Sequence, residues 1–221
     1  MAKIGVILSG CGVYDGSEIH ETVLTLLALS QRNQEVTILA PNIEQHHVIN
    51  HQTGEEMSET RNVLVESARI ARGEIYSLSD VDPSQFDAII LPGGFGAAKN
   101  LSNFAFIGSK AIVLEELSIF LLEFKKYNRP IGAMCIAPAL IALLNPKMGE
   151  NSNISLTIGT DTETAETLEL LACKHENKEA HEICVDSTNK IVSTPAYMIG
   201  KGLADIHKGI DALVEKVIDL I

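Results

Sequence analysis

The sequence predicts an α/β fold: a doubly wound, mostly parallel sheet with helices on both faces and a small β-hairpin edge. Three observations carry that expectation. Short apolar runs at residues 3–9, 36–40 and 87–91, and another after Pro130, alternate with longer stretches of helical period, the pattern of βαβ units. The runs end in glycine- or proline-containing loops, and the loops at the carboxyl ends of parallel strands gather at one rim, where ligands bind. The 221 residues hold no internal repeat, low-complexity tract or Pro/Gly/Ser-rich linker, so residues 1–221 are expected to form one domain.

The first run, residues 3–9, is continuous, as in a strand buried on both faces. It leads into Ser9-Gly10-Cys11-Gly12-Val13-Tyr14-Asp15-Gly16, whose glycines permit a tight loop. Ser17 is placed to cap a helix over residues 18–32, with Ile19, Val23, Leu26 and Leu27 as one apolar stripe. The neighbouring face, Glu21, Leu24, Thr25 and Ala28, is nearly as apolar. Glu21 therefore sits in the first turn of a helix expected to be buried almost all round, where desolvation would raise its pKa. The plain alternative is a carboxylate that complements the helix dipole.

After the strand at 36–40, stopped by Pro41, a loop carries His46, His47 and His51, with a short hairpin around residues 51–54. Three histidines raise a metal site as an option. No carboxylate or cysteine completes a familiar ligand spacing, and a polar surface loop is the simpler reading. Ser58 and Gly73 bracket a helix over 59–72, with Val63, Leu64, Ser67 and Ala68 on its inner stripe. Arg61, Arg69 and Arg72 are solvated or available to anions. The strand at 87–91 ends in Pro92-Gly93-Gly94-Phe95-Gly96, where glycines let backbone amides face a neighbouring site. Lys99 and Asn100 open a polar and aromatic loop before a helix over 112–127.

The next stretch organises the rest: Arg129-Pro130-Ile131-Gly132-Ala133-Met134-Cys135-Ile136-Ala137-Pro138-Ala139-Leu140-Ile141. It reads as a strand, a sharp turn and a helix, the geometry that exposes a nucleophile at a strand's carboxyl end. N–H groups at the helix start can lower a thiol pKa and hold an oxyanion. Cys135 is thus the candidate nucleophile; the alternative is a small buried hydrophobe. Beyond it come a strand over 154–158, a helix from Asp161 to Cys173, and a sheet-edge hairpin formed by 183–186 and 190–193. Thr194-Pro195-Ala196-Tyr197 then bends the chain into a last helix over 202–221, with Ile206, Ile210, Leu213, Val214 and Val217 inward.

Composition narrows the partners. Seventeen Lys and Arg against 29 Asp and Glu give a formal charge of -12, which repels nucleic-acid phosphates and anionic membrane surfaces. The apolar run at the N-terminus is too short for a signal sequence and no stretch reaches membrane-spanning length, so a cytoplasmic location is expected. Cys11, Cys135, Cys173 and Cys184 make no C-x-x-C pair and no zinc spacing; reduced thiols and no structural metal are the expectation.

Three loops stand at strand ends: Gly16-Ser17-Glu18-Ile19-His20-Glu21-Thr22-Val23, Leu91-Pro92-Gly93-Gly94 and Ala133-Met134-Cys135-Ile136-Ala137-Pro138. In this order they resemble the DJ-1/PfpI superfamily, which shares a flavodoxin-like fold with class I glutamine amidotransferase domains. The runs 4–21, 48–51, 59–64, 93–101 and 194–198 are similar to its bacterial ElbB-type branch, associated with isoprenoid biosynthesis and described as a glyoxalase. The resemblance implies Cys135 as nucleophile, Glu21 as the glutamate that hydrogen-bonds it, and the N–H groups of Gly94 and Ile136 as an oxyanion hole. His20, Asn100, Pro195 and Cys11 are further pocket candidates, Cys11 as a second thiol or as a loop-packing residue. Where hydrolytic members carry a histidine beside the nucleophile this chain has Ile136, and the segment around Pro195 lacks the His/Glu pair of glutaminases. Both departures argue against protease and glutaminase chemistry.

The implied function is a glutathione-independent glyoxalase of hydro-lyase type, acting on a small dicarbonyl with no cofactor and no metal, as a homodimer. Repair of dicarbonyl adducts (deglycation) and a cysteine redox sensor or chaperone are the alternatives, with an indirect link to isoprenoid biosynthesis.

Overall fold

The computed structural model describes residues 1–149 and 153–221. In chain order the elements are β1 (Lys3–Ile7), α1 (Ile19–Gln31), β2 (Glu35–Ala40), β3 (Val48–Ile49), β4 (Glu56–Met57), α2 (Val63–Ile70), β5 (Tyr76–Ser77) and β6 (Ala88–Leu91). They continue through α3 (Phe95–Lys99), α4 (Phe104–Ile107), α5 (Glu115–Lys126), β7 (Ile131–Met134) and α6 (Pro138–Leu144). The last are β8 (Ser155–Leu156), α7 (Thr162–Glu169), β9 (Lys174–His175), β10 (Cys184–Asp186), β11 (Ile191–Thr194) and α8 (Leu203–Asp219).

Seven strands form the central sheet in the order β10-β11-β7-β6-β1-β2-β5, parallel throughout except for the antiparallel β10–β11 edge. Alternation along each strand divides the apolar residues between two faces. Ile4, Val6, Ala88 and Ile90 pack with Leu29 of α1, Val63 of α2 and Ile206, Ile210, Leu213, Val214 and Val217 of α8. Ile7, Ile89, Leu91, Ile131 and Ala133 pack on the other side with Leu117, Leu121 and Phe124 of α5, Leu140 and Ile141 of α6 and Leu168 of α7. Truncating any of these large side chains to Ala should cost about 2–5 kcal/mol. The fold is therefore the doubly wound, mostly parallel one expected. The chain leaves β1 toward β2 and β5, then crosses back to β6. The carboxyl ends of β1 and β6 thus flank a topological switch point.

Several boundaries differ from expectation for local reasons. Glu18, not Ser17, caps α1: its Oε2 accepts the Glu21 N–H at 2.7 Å, while the Ser17 Oγ accepts the Ser9 N–H at 2.8 Å and ties the loop to β1. α1, expected to be buried almost all round, is buried only on the side of Glu21, with Leu24 and Leu26 half-buried beside it. Ile19, Val23 and Leu27 are 41%, 48% and 43% exposed, and Glu21, Thr22, Thr25, Ala28 and Leu29 are buried. Thr22 and Thr25 can be buried because their hydroxyls donate to the carbonyls of Glu18 and Glu21. The helix expected from Ser58 begins instead at Val63 with Asn62 as cap, since residues 56–57 pair with β3 in a hairpin. Arg61 and Arg69 are paired with Glu66, at 3.5 and 2.8 Å. The helix expected over 112–127 is α5, and the strand expected over 154–158 is only β8, paired with β9 outside the central sheet. On the side away from β9 its N–H groups go to side chains of the central sheet rather than to a backbone ladder: Asp186 Oδ2 of β10 accepts the Ser155 N–H and Ser193 Oγ of β11 accepts the Thr157 N–H.

Candidate active site

The sequence Met134-Cys135-Ile136-Ala137-Pro138 folds as the expected elbow. Cys135 joins β7 to the turn that opens α6 and has φ +57°, a left-handed conformation that costs a non-glycine residue about 1–3 kcal/mol. Its N–H donates to the Thr194 carbonyl on β11 at 3.1 Å, which helps hold the turn. The strained conformation projects the side chain over the carboxyl end of the sheet, where it is 8% exposed.

Glu21 reaches the same point from α1. It is fully buried, and each carboxyl oxygen has a backbone partner: Oε2 accepts the Gly93 N–H at 2.9 Å, and Oε1 accepts the Tyr197 N–H at 3.1 Å. The Cys135 thiol lies beside it, both groups crowding the same face of Gly93. Loops after β1, β6, β7 and β11, four adjacent strands, therefore converge on one thiol and one carboxyl.

Burial dominates the electrostatics. It pushes Glu21 up to about 8, with the nearby Glu18 carboxylate adding to the rise and the Tyr197 and Gly93 N–H groups opposing it. Glu21 thus holds a proton at neutral pH. Burial, and then any charge on Glu21, pushes the Cys135 thiol well above its ordinary value. The N–H groups of Gly94 and Ile136 pull it down, in the sense expected of a helix start, but less strongly. The pair shares its protons, so ionising one group suppresses the other. Gly94 can aim its N–H because it adopts φ +94°, where a Cβ would lie 2.4 Å from the Glu18 N and the Gly16 O.

The other candidates divide between rim and scaffold. His20 is on the rim, its side chain 53% exposed, with Nδ1 3.1 Å from the Tyr197 hydroxyl and 3.8 Å from Glu18 Oε1. Pro195 is buried just after β11, ahead of the strained Ala196 (φ +44°) that turns the Tyr197 N–H toward Glu21. Asn100 is a brace: its Nδ2 donates to the carbonyls of Ser9 and Asp15, and its Oδ1 accepts the His46 N–H. Cys11 is half-buried in the β1 loop, among Glu66, Arg69, Asp15 and Arg61, and burial raises its thiol pKa. Cys173 and Cys184 are core residues whose thiols burial pushes up to about 12.

The histidine loop has its own partners. His46 stacks on Phe106 at 4.4 Å, His47 Nε2 lies 3.0 Å from Lys99 Nζ, and His51 Nε2 accepts the Tyr14 N–H. Among the described residues, no group of three or more His, Cys, Asp and Glu is arranged to hold a metal ion. The sequence reading missed the carboxyl-holding N–H groups of Gly93 and Tyr197. Pro92-Gly93-Gly94 and Pro195-Ala196-Tyr197 were the only signals for them, and both look like ordinary turns.

A doubly wound sheet with a cysteine on a strained elbow and a buried glutamate from the first helix defines a class of protein. The chain belongs to the DJ-1/PfpI family, whose model matches residues 11–193. It is 46% identical to the human glutamine amidotransferase-like class 1 domain-containing protein 3, mitochondrial, over 99% of this chain and 83% of that protein. A crystal structure of an isoprenoid biosynthesis protein with amidotransferase-like domain from Ehrlichia chaffeensis matches with a TM-score of 0.91. It is 35% identical and covers 100% of this chain and 99% of that one. Glyoxalase III from Candida albicans shares the fold, with a TM-score of 0.63 and 16% identity over 100% of this chain and 97% of that one.

These relatives overturn one expectation. The human protein and the ES1 proteins of rat and zebrafish are all named mitochondrial, which points away from the cytoplasm. Charge and apolar content report solubility and partner class. They do not report a cellular address.

Proposed function

We propose that this protein is a glutathione-independent glyoxalase that converts glyoxal to glycolate through Cys135 and Glu21, without metal or cofactor. The observation that carries the reading is a buried thiol side by side with a buried, proton-holding carboxyl at Gly93, with the N–H groups of Gly94 and Ile136 favouring charge on the sulfur. The family match supports a cysteine-based site, and the chemistry is argued from the residues.

At neutral pH both groups hold a proton, so the reacting form is the one in which Glu21 has released its proton to solvent. Glu21 takes the S–H proton of Cys135 as the sulfur bonds to one aldehyde carbon, whose carbonyl bond opens to an oxyanion held by the Gly94 and Ile136 N–H groups, and it then gives that proton to the oxyanion. Glu21, now a carboxylate, removes the hydrogen from that carbon and returns it to the neighbouring carbon through an enediol. The product is the thioester of glycolate. Water displaces the thiol, so the sum is glyoxal plus water to glycolate and a proton, with nothing oxidised overall. A carboxyl with a pKa of about 8 is suited to both steps, since it releases and recovers a proton near neutral pH.

A homodimer is part of the same proposal. The exposed stripe of Ile19, Val23 and Leu27, spaced four residues apart, forms one apolar face of α1 that a second copy would cover. The activity is tested by incubating glyoxal with protein stripped of metal by chelation, in the absence of thiols, and following glycolate. Turnover that survives chelation supports the reading, and turnover restored only by metal or glutathione rejects it.

A further inference from the structure

Tyr197 grips α1 at two neighbouring residues. Its N–H donates to Glu21 Oε1 at 3.1 Å inside the fold, and its hydroxyl lies 3.1 Å from His20 Nδ1 at the surface, with the two rings tilted and their centroids 5.9 Å apart. The inner bond depends on the backbone just ahead of it. Ala196, at φ +44°, is in a left-handed conformation that residues with a side chain seldom adopt, and that turn aims the Tyr197 N–H at the carboxyl. The N–H groups that follow stay within the turn: Met198 donates to the Pro195 carbonyl and Gly200 to that of Ala196. The hydroxyl contact is thus a side-chain tie between the strained turn and α1. Glu18 flanks both bonds, its Oε2 accepting the Glu21 N–H at 2.7 Å and its Oε1 3.8 Å from His20 Nδ1.

We propose that His20 is a positioning residue for Glu21: through the Tyr197 hydroxyl it holds the Ala196–Tyr197 turn in place and keeps the Tyr197 N–H on the carboxyl beside Cys135. This role rests on the reading of Cys135 and Glu21 as the reactive pair, which works once Glu21 has ionised. An N–H donated to a carboxylate favours the charged form, and at Glu21 it opposes burial and the Glu18 charge. Loosening the turn weakens that bond, so the carboxylate forms at a higher pH. The ionisable groups beside Glu21 are Glu18 on α1, Cys135 at the elbow and the Tyr197 phenol after β11; beside His20 they are Glu18 and Tyr197.

The test follows the ionisation of Glu21 itself. In protein labelled with 13C at the glutamate carboxyls, the resonance that disappears in Glu21→Gln is titrated by NMR. His20→Leu keeps the bulk and removes the hydrogen bond, and Tyr197→Phe removes it from the other side. His20→Asn places an amide, able to donate or accept, where Nδ1 stands. The side chain of His20 is 53% exposed, so the fold tolerates its replacement. His20→Leu and Tyr197→Phe should each raise the Glu21 midpoint by about one pH unit, with glyoxal turnover at pH 7 down about tenfold. The double variant should shift no further than either single one, and His20→Asn should return the midpoint to its wild-type value. A wild-type midpoint in His20→Leu, or a shift there that Tyr197→Phe does not share, would overturn the role. A raised midpoint in a protein that does not turn over glyoxal would keep the role of His20 and reject the glyoxalase reaction.

Discussion

Residue 93 has no room for a side chain because of Cys135. A Cβ built on Gly93 would lie 2.4 Å from the Cys135 Cβ and 2.9 Å from its sulfur, and 2.7 Å from Glu21 Oε2. The close approach lets the Gly93 N–H hold the carboxyl beside the thiol. Gly93→Ala should therefore separate the pair, lowering glyoxal turnover at least about a hundredfold while costing about 1–3 kcal/mol of stability. Turnover and urea unfolding of the same preparation check both parts.

The buried carboxyl makes stability depend on pH. Glu21 ionises near 4.5 when unfolded and near 8 when folded, so between those values the native state holds a proton that the unfolded state has lost. Its contribution is fully present below about 4.5 and is lost as the pH rises through 8, a difference on the order of 5 kcal/mol. Glu21→Gln keeps the shape and removes the titration. Unfolding curves at pH 5 and pH 8.5 should show wild type losing stability relative to this variant at the higher pH; a constant difference would reject the assignment.

Asn100 should matter for folding rather than for the thiol. Removing its three hydrogen bonds, two of them buried, in Asn100→Ala leaves the Ser9 and Asp15 carbonyls and the His46 N–H without that partner, at a cost of about 2–4 kcal/mol. Alkylation of Cys135 in the folded fraction should be unchanged. A selective loss of thiol reactivity at full stability would instead put Asn100 in the site.

The α1 stripe gives a prediction for assembly. Val23→Lys and Leu27→Glu place charges on exposed apolar positions, where a monomer tolerates them within about 0.5 kcal/mol. Sedimentation should show wild type as a dimer and the double variant as a monomer. A monomeric wild type would contradict the homodimer.

Much of this site could be read before the structure because its parts are local. The elbow announces itself in a few consecutive residues, and the last helix shows its inner face from Ile206 to Val217 by period alone. The orientation of α1 could not be read that way. Ile19, Val23 and Leu27 are more apolar than Glu21, Thr22 and Thr25, and periodicity favours them for the core. The face of Glu21 is buried as expected, because Glu21 meets N–H groups from two distant loops and the threonines satisfy themselves on their own helix, while the side of Ile19, Val23 and Leu27 stays open. Such satisfaction depends on residues 72 and 176 positions away, which no local pattern contains. The same holds for β8, whose N–H groups on the side of the central sheet are taken by the Asp186 and Ser193 side chains.

The most direct test of the Cys135–Glu21 account is glycolate formation from glyoxal by metal-free, glutathione-free wild type, Cys135→Ala and Glu21→Gln. Cys135→Ala removes the sulfur. Glu21→Gln retains the carboxyl's shape without its proton traffic. The account predicts steady glycolate production by wild type and background rates for both variants. Equal, slow rates for all three proteins would contradict it.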